Sequence, residues 1–324
     1  MQDHGGNIGL AMAEFGGDAS DWMDLSTGIN ANAYPVGQVS AAAWARLPER
    51  ESLLGLERRA QRAYGTTLDV VAVAGAQAAI QLVPRLQPAG QAAVLTPTYN
   101  EHAATLRSAG WEVREAATLA ALEGHAVAVV VNPNNPDGRF YAPDALAALA
   151  NKVGILIVDE SFVDPEPHLS VTTCSRGLPD NVVVLRSFGK FYGLAGLRLG
   201  FVLATPALAG RFRDMVGPWP VSGMAIEVAA RALSDAGWTR QTQAQLQRDM
   251  VRMDGLAQDA GWTLVGGTPL FRTYATPDGV TAQRQLAAHR IWTRIFPYSE
   301  TWIRLGLPAH ENDWARLTAA LQRS

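Results

Sequence analysis

A hydroxyl, a lysine and an arginine lie close together in the segment Ser187 to Arg198, which glycines interrupt. Apolar runs at 182–185 and 199–203 flank this segment and predict a buried strand on each side of it. A lysine between buried strands is costly unless an acid pairs with it or its amine loses the charge. The amine loses its charge on forming a Schiff base with a carbonyl compound, and Ser187 and Arg198 could then hold an anionic group nearby. The alternative is a solvated surface loop.

Polar groups also follow two further apolar runs. Asp159 ends the run Ile155 to Val158, and open α/β sheets bind ligands at the carboxyl ends of such strands. The alternative for this acid is a helix N-cap. The run His125 to Val131 leads into Asn132 to Gly138, where two prolines and several turn-forming residues predict a rigid loop.

Three other positions carry weaker signals. Gly75 lies at a predicted strand-to-helix turn, where free N–H groups can bind an anion, although most such turns are only turns. Tyr99 follows the apolar run 92–96 and could be an ordinary half-buried aromatic residue. The alternation at 302–305 predicts a strand that carries Arg304, whose charge could simply be solvated at a sheet edge.

These motifs occur in the order found in the class I/II, fold-type I aminotransferase superfamily, which the chain resembles over nearly its whole length. Members of that superfamily bind pyridoxal 5'-phosphate. The resemblance implies that Lys190 bonds to this cofactor, that Asp159 keeps its ring nitrogen protonated, and that Asn135 donates to its phenolic oxygen. It implies further cofactor contacts from Tyr99, which would stack on the ring, and from Ala76, Gln77, Ser187 and Arg198, which would bind the phosphate.

Three stretches, 4–6, 24–30 and 266–272, are most similar to those of the threonine-phosphate decarboxylases of cobalamin biosynthesis. That likeness implies the conversion of L-threonine O-3-phosphate to (R)-1-amino-2-propanol phosphate and CO₂, with Lys190 and Asp159 as catalytic residues. The small phosphorylated amino-acid substrate would be held by His4, Gly28, Asn30, Arg272 and Arg304. Arg304 would clamp the carboxylate, and Arg272 is the first candidate for the phosphate, with a structural ion pair as its alternative.

Two other functions stay open. One is a histidinol-phosphate-type aminotransferase, which uses the same cofactor and the same cofactor-binding residues. The other is a pyridoxal-phosphate-binding regulator, which usually adds a DNA-binding module, and the sequence offers no spare length or basic patch for one. Aminotransferases usually carry Tyr and Thr at the positions of Phe162 and Asp137, and these departures favour the decarboxylase.

Relatives often have Tyr at the position of Leu47, and that tyrosine reaches the phosphate in the partner subunit. Leu47 therefore leaves open whether a partner contacts the phosphate here.

The order of the predicted elements indicates an α/β fold. With the resemblance, it predicts a three-layer α/β/α large domain with a mostly parallel sheet, plus a smaller α+β domain. The expected boundaries are an N-terminal arm at 1–34 that joins the small domain, a large cofactor-binding domain at 35–240, and a small C-terminal domain at 241–324.

The composition is that of an ordinary soluble globular protein, with 324 residues, 48% hydrophobic content and a net charge of −3. This charge gives no reason to expect nucleic acid or an anionic membrane as a partner. The apolar runs are far below the ~20 residues of a membrane span, and the N-terminus lacks signal-peptide features. A single cysteine, Cys174, excludes an internal disulfide and suits a cytoplasmic protein. We expect no metal site, and the resemblance implies a homodimer.

Overall fold

The computed structural model describes residues 5–175 and 177–322, which form two compact units. The larger unit comprises Tyr34–Asn135 and Arg139–Thr239. The smaller unit comprises the described residues up to Ala33, the segment Pro136–Gly138 and the residues from Arg240 on. The division into an arm, a cofactor-binding domain and a C-terminal domain stays a prediction about function.

Strands are found in both units. In chain order they are β1 Met23–Asp24, β2 Asp69–Val73, β3 Gln91–Leu95, β4 Glu112–Ala116, β5 Val127–Val131, β6 Ile155–Asp159, β7 Val182–Ser187, β8 Gly200–Ala204, β9 Thr263–Thr268, β10 Phe271–Ala275, β11 Ile291–Trp292, β12 Arg294–Phe296 and β13 Ser299–Gly306.

Helices make up a larger share of the described residues than the strands do. They are α1 Ile8–Phe15, α2 Ala41–Ala45, α3 Arg50–Ala63, α4 Ala76–Leu82, α5 Glu101–Ser108, α6 Pro143–Ala150, α7 Phe188–Phe191, α8 Pro206–Val216, α9 Gly223–Ala232, α10 Ala236–Asp259, α11 Gly279–Ala288 and α12 Glu311–Leu321. Short 3₁₀ turns lie at Ala19–Asp21, Val83–Arg85, Leu119–Leu122, Pro167–Leu169, Val171–Thr173 and Ala195–Leu197.

A seven-stranded sheet in the order β2-β8-β7-β6-β5-β3-β4 organises the larger unit. β8 runs antiparallel to its neighbours β2 and β7, whereas the other neighbours pair in parallel. Every residue of β5 is buried, as is usual for a parallel strand covered on both faces. The predicted α/β fold class with a mostly parallel sheet is confirmed.

Helix α3 illustrates how local sequence determines packing. The apolar residues Leu56 and Ala60 are one turn apart and fully buried, so they form the face that packs inward. Glu57 is also buried, and its Oε1 accepts a hydrogen bond from the N–H of Ala72 on β2 at 3.0 Å. The helix is thereby fixed to the strand that leads into Gly75.

The larger sheet brings the predicted polar loops to one edge. β6 lies between β5 and β7, with Asp159 opposite Val131 on one side and opposite Leu185 on the other. All three strands run in the same direction, so the residues that follow Val131, Asp159 and Ser187 leave the sheet at the same edge. This explains how segments far apart in sequence can share one site.

The smaller unit contains an antiparallel sheet in the order β12-β13-β10-β9 and a parallel pairing of β1 with β11. Met23 of β1 lies opposite Ile291, and Trp22 packs with Ala11 and Ala287 in a small core. The N-terminal segment is therefore an integral part of this unit. Among the helices of the described chain, none is both long and apolar enough to cross a bilayer.

Candidate active site

Lys190 lies in the single helical turn α7, which follows β7 directly. Phe188 and Phe191 of this turn are buried, while Lys190 remains partly exposed. Gly189 packs so closely on the chain that a Cβ atom there would lie 2.7 Å from the Cα of Ala195. The turn is therefore held by buried neighbours, and its lysine is the residue presented to the adjoining cavity.

Asp159 is 3% exposed and has hydrogen-bond donors on both of its oxygens. His102 Nε2 donates to Oδ2 at 2.9 Å, and Ser161 donates to Oδ1 through its N–H at 2.9 Å and its Oγ at 2.5 Å. Burial by itself would raise the pKa of Asp159, but these hydrogen bonds outweigh it and hold the pKa below its ordinary value. The group is therefore an ionised carboxylate at neutral pH.

Tyr99 is oriented by a chain of side-chain hydrogen bonds. Its hydroxyl donates to Gln77 Oε1 at 3.1 Å, and Gln77 Nε2 donates to Glu101 Oε2 at 3.1 Å. Burial, together with the nearby carboxylates of Glu101 and Asp159, raises the pKa of Tyr99 to about 12, so the hydroxyl keeps its proton. These contacts fix the position of the ring that the resemblance assigns to stacking.

Two glycines allow close packing at the start of α4. Gly75 has φ 83°, and a Cβ atom there would lie 2.7 Å from Nη2 of Arg198. A Cβ atom at Gly200 would lie 2.5 Å from the backbone nitrogen of Ala76. The absence of side chains at these two positions lets the guanidinium and the backbone come close together. A cation and backbone N–H groups are the donors that a phosphate requires.

The three asparagines of the loop after β5 have different roles. Asn132 Oδ1 accepts from the N–H of Tyr141 at 2.7 Å, and Asn134 Nδ2 donates to the carbonyl of Pro97 at 2.9 Å. Both asparagines are buried and stabilise the loop. Asn135 instead lines the same cavity as Lys190.

A cavity of about 180 Å³ brings the predicted cofactor-binding residues together. Its lining includes Ala76, Gln77, Tyr99, Asn135, Asp159, Ser187, Lys190 and Arg198, all from the larger unit. Phe162 also lines it, with the Nζ of Lys190 5.5 Å from the centre of its ring, a cation–π contact. Within residues 5–175 and 177–322, no cluster of three or more His, Cys, Asp or Glu side chains could hold a metal ion.

Arg186, Glu160 and Asp164 form a buried ionic cluster that the sequence did not predict. Two of its members are neighbours in sequence of residues that line the cavity. Arg186 is 2% exposed, donates from Nη1 to Glu160 Oε2 at 3.2 Å, and pairs through Nη2 with Asp164. Its guanidinium lies 4.1 Å from the centre of the Tyr64 ring. Because Glu160 follows Asp159 and Arg186 precedes Ser187, this cluster joins the ends of β6 and β7.

Arg304, the predicted carboxylate ligand, lies in the smaller unit and is 6% exposed. Its Nη2 donates to the carbonyl of Ser26 at 2.6 Å, and its guanidinium lies 5.3 Å from the ring centre of Phe271. Arg294 is its direct partner across β12 and β13. Burial, with the charge of Arg294, lowers the pKa of Arg304 to about 10. Two arginines directly opposite each other repel, so an anion between them would be stabilising.

Arg272 lies on the other face of this sheet. Its neighbour Thr273 is the residue opposite Arg304, and successive side chains of a strand point to opposite faces. Arg272 donates to Asp254 through Nε at 2.9 Å and Nη2 at 2.7 Å, and Tyr274 also donates to Asp254. This arrangement is the ion pair that the sequence left as the alternative, and it argues against binding of the phosphate by Arg272.

The remaining predicted substrate residues lie in the N-terminal segment. Gly28 and Asn30 are buried, and Asn30 Oδ1 accepts from the N–H of Asn32 at 3.0 Å. His4 lies outside the described residues. Leu47, at the position where relatives carry a tyrosine, is 64% exposed.

Sequence reasoning missed His102, Ser161 and Arg294. His102 lies three residues after Tyr99, a spacing that places both on one side of a helix start. Ser161 lies two residues after Asp159, the spacing of a side-chain-to-backbone turn. For Arg294 no local signal exists, because its pairing with Arg304 depends on the register of two strands.

Comparisons with known proteins show what the chain is similar to. The family model "Aminotransferase class I and II" matches residues 10–321. A threonine-phosphate decarboxylase from Sinorhizobium sp. is 42% identical over 99% of this chain and 97% of its own length. A histidinol-phosphate aminotransferase from Yersinia enterocolitica is 31% identical over 72% of this chain and 66% of its own length. Among solved structures, a histidinol-phosphate aminotransferase from Sinorhizobium meliloti in complex with pyridoxal-5'-phosphate has a TM-score of 0.80 at 20% identity, covering 92% of this chain and 89% of that one.

Proposed function

The chain belongs to the class I and II aminotransferase family, and on this premise we propose that it is a threonine-phosphate decarboxylase. It would convert L-threonine O-3-phosphate to (R)-1-amino-2-propanol phosphate and CO₂, a step of cobalamin biosynthesis. The observation that carries this proposal is that Lys190, Asp159, Asn135 and Arg198 line one and the same cavity. The near-full-length likeness to a threonine-phosphate decarboxylase at 42% identity supports the choice of reaction.

The cofactor is pyridoxal 5'-phosphate, and the residues of the cavity fit it. A primary amine, an ionised carboxylate and an amide line the same space, as the aldehyde, ring nitrogen and phenolic oxygen require. Because Gly75 and Gly200 lack side chains, the guanidinium of Arg198 and the backbone of Ala76 pack closely against them. We assign Lys190 to the aldehyde carbon and Asp159 to the ring nitrogen. Asn135 is assigned to the phenolic oxygen and Tyr99 to the ring face. The phosphate is assigned to Ala76, Gln77, Ser187 and Arg198.

When bound, pyridoxal phosphate supplies an electron sink for the electron pair left on the substrate Cα as CO₂ departs. The carboxylate of Asp159 holds a proton at the ring nitrogen, and this proton increases the capacity of the sink. Lys190 Nζ moves a proton to Cα after CO₂ has left. Arg304 binds the α-carboxylate in a fixed orientation, which decides which bond to Cα breaks.

The substrate carries a second anion, and we assign its phosphate to Arg294. Arg294 shares a sheet face with Arg304, whereas Arg272 faces the other way and is engaged by Asp254. An anion beside the two opposed arginines would offset their mutual repulsion. We keep Gly28, Asn30 and His4 as further proposed substrate contacts from the N-terminal segment.

A histidinol-phosphate-type aminotransferase is the alternative, and one assay separates the two. The protein with bound cofactor is incubated with L-threonine O-3-phosphate or with histidinol phosphate, each in the presence and absence of 2-oxoglutarate. We expect CO₂ and aminopropanol phosphate without 2-oxoglutarate, and no product from the Lys190→Ala variant. Turnover that requires 2-oxoglutarate and takes place on histidinol phosphate would overturn the decarboxylase proposal.

We also propose that the protein is a cytoplasmic homodimer. The large apolar side chains of Trp44, Leu47 and Trp219 are 68%, 64% and 55% exposed. In sequence, Trp44 and Leu47 lie close to Ala43 of α2, and Trp219 lies four residues before Gly223 of α9, which contacts Ala43. Exposed large apolar side chains are typical of an interface where they form a patch. Sedimentation should give twice the chain mass of 34.7 kDa, and Trp219→Glu should reduce it toward that value. A monomeric wild-type protein at assay concentration would contradict the proposal.

A further inference from the structure

Within the described residues, the carboxylate of Asp159 accepts three hydrogen bonds, and two of them come from one residue. Ser161 donates to Oδ1 through both its N–H and its hydroxyl, and His102 donates to Oδ2. The N–H contact is available to any residue at this position, because it belongs to the backbone. Only the Oγ contact, at 2.5 Å, depends on the serine side chain.

We propose that the hydroxyl of Ser161 is a positioning group that acts through Asp159 on the ring nitrogen of the bound cofactor. The inference deepens the proposed function and rests on it only for the identity of the cofactor. It does not depend on which substrate is decarboxylated.

The number of hydrogen bonds that the Asp159 carboxylate can accept supports a positioning role for Ser161. Each carboxylate oxygen can accept about two hydrogen bonds. Ser161 supplies two donors to Oδ1 and His102 supplies one to Oδ2. Among the described residues these are the donors that reach Asp159, so the remaining acceptor site lies on Oδ2. Ser161 therefore determines which oxygen of Asp159 is offered to a ligand N–H group.

The same contact weakens Asp159 as a base. A short hydrogen bond to an ionised carboxylate stabilises the ionised form, and the effect is strong where water is scarce. Asp159 is 3% exposed and Ser161 is 9% exposed, so this condition is met. A proton shared between Asp159 and a ring nitrogen is then displaced toward the nitrogen, which is the state that an electron sink requires.

The competing explanation is that the hydroxyl of Ser161 only stabilises the fold. A second serine, Ser170, makes a comparable hydrogen bond and serves as the control. Ser170 Oγ donates to Glu160 Oε2 at 2.7 Å, also between buried residues. Glu160 is the direct neighbour of Asp159, but it does not line the cavity and pairs instead with Arg186. Ser170→Ala therefore removes the same kind of hydrogen bond without reaching the proposed acceptor of the ring nitrogen.

The test compares wild type, Ser161→Ala, Ser161→Thr and Ser170→Ala, each loaded with pyridoxal phosphate labelled with ¹⁵N in its ring. We expect the ring ¹⁵N signal of Ser161→Ala to move toward that of an unprotonated nitrogen. Ser161→Thr should restore the signal, because the hydroxyl is retained, and Ser170→Ala should leave it at the wild-type position. In the decarboxylation assay, Ser161→Ala should lower kcat about tenfold with KM nearly unchanged, a factor that corresponds to ~1.4 kcal/mol.

An unchanged ¹⁵N signal in a folded, cofactor-loaded Ser161→Ala protein would overturn the inference while leaving the proposed function intact. Equal signal changes in Ser161→Ala and Ser170→Ala would overturn it too, because the effect would then come from general loosening of the fold. A wild-type protein that takes up no pyridoxal phosphate would overturn both the proposed function and this inference.

Discussion

His102 donates through Nε2 to Oδ2 of Asp159 at 2.9 Å, and the two residues are 2% and 3% exposed. They are 57 positions apart in the chain. The histidine comes from α5, just after the strand that precedes Tyr99, whereas the carboxylate ends β6. One helix start thus carries both the aromatic ring and the donor that supports the acid of the proposed cofactor site.

Loss of the His102 donor should weaken Asp159 as an ionised group. We expect His102→Ala to raise the pKa of Asp159, because burial raises it and one of the opposing hydrogen bonds is removed. The acid limb of the kcat profile should move to higher pH, and turnover at neutral pH should fall about tenfold. His102→Gln, which retains a donor, should recover part of the loss. An acid limb at the wild-type position in a folded His102→Ala protein would contradict this prediction.

Lys190 should be the residue that becomes covalently labelled when the loaded protein is reduced with borohydride. The chain has two lysines, and the other, Lys152, is more than half exposed and pairs with Glu123 at 2.8 Å. Peptide mapping should therefore place the label on Lys190 and leave Lys152 unmodified. Lys190→Ala should lose nearly all turnover, whereas Lys152→Ala should retain it. A label on Lys152 would refute the assignment.

Arg294 and Arg272 should differ in their effects on the substrate. Charge-assisted hydrogen bonds contribute about 1.5–3 kcal/mol, so Arg294→Ala should raise KM for threonine phosphate at least about tenfold. It should do so with little change in the absorbance of the bound cofactor. Arg272→Ala should instead lower the melting temperature, because it leaves Asp254 without its bidentate partner.

The two variants provide controls for each other. A selective rise in KM in Arg272→Ala, with a normal KM in Arg294→Ala, would restore the phosphate assignment that the sequence favoured. Asp254→Asn should resemble Arg272→Ala in stability and leave KM unchanged.

Glu57 should make the free energy of unfolding of the protein decrease as pH rises, because its pKa is raised in the folded state. Burial raises the pKa of Glu57, and the hydrogen bond from Ala72 and the charge of Arg213 only partly oppose it. A carboxyl whose pKa is raised on folding stabilises the protein below its ordinary pKa of 4.5, and this contribution is lost as pH rises through the raised value. Glu57→Gln keeps an acceptor for Ala72 and avoids burying a charge.

The free energy of unfolding of Glu57→Gln, relative to wild type, should therefore increase as pH rises above 4.5 and level off once pH exceeds the raised pKa of Glu57. Urea unfolding at several pH values measures this difference. Glu51→Gln is the control, since Glu51 lies on the same helix with its side chain 80% exposed. A difference that is constant with pH, or that decreases as pH rises, would contradict the prediction.

Local sequence was sufficient to predict an element or a candidate residue where the pattern lies within one short segment. The apolar run 127–131, rich in valine, predicts a strand buried on both faces, and Lys190 is recognisable because glycines and flanking strands surround it. The spacing of Leu56 and Ala60 likewise indicates a helix, and both residues lie in α3, Arg50–Ala63.

The tertiary structure decided which side chains meet. Arg272 and Arg294 are both arginines in strands of the smaller unit, and nothing in their local sequence indicates which of them shares a face with Arg304. The registers of β10 and β12 against β13 determine this, because a shift by one residue turns every side chain to the other face.

Which residues form the proposed site can be predicted from sequence, whereas their ionisation states depend on the tertiary structure. The sequence by itself determined the fold class and which amine, acid and amide are candidates for cofactor binding, because short motifs carry that information. Whether Asp159 is ionised depends on its burial and on donors from His102 and Ser161, and burial exists only once α5 has packed against the sheet.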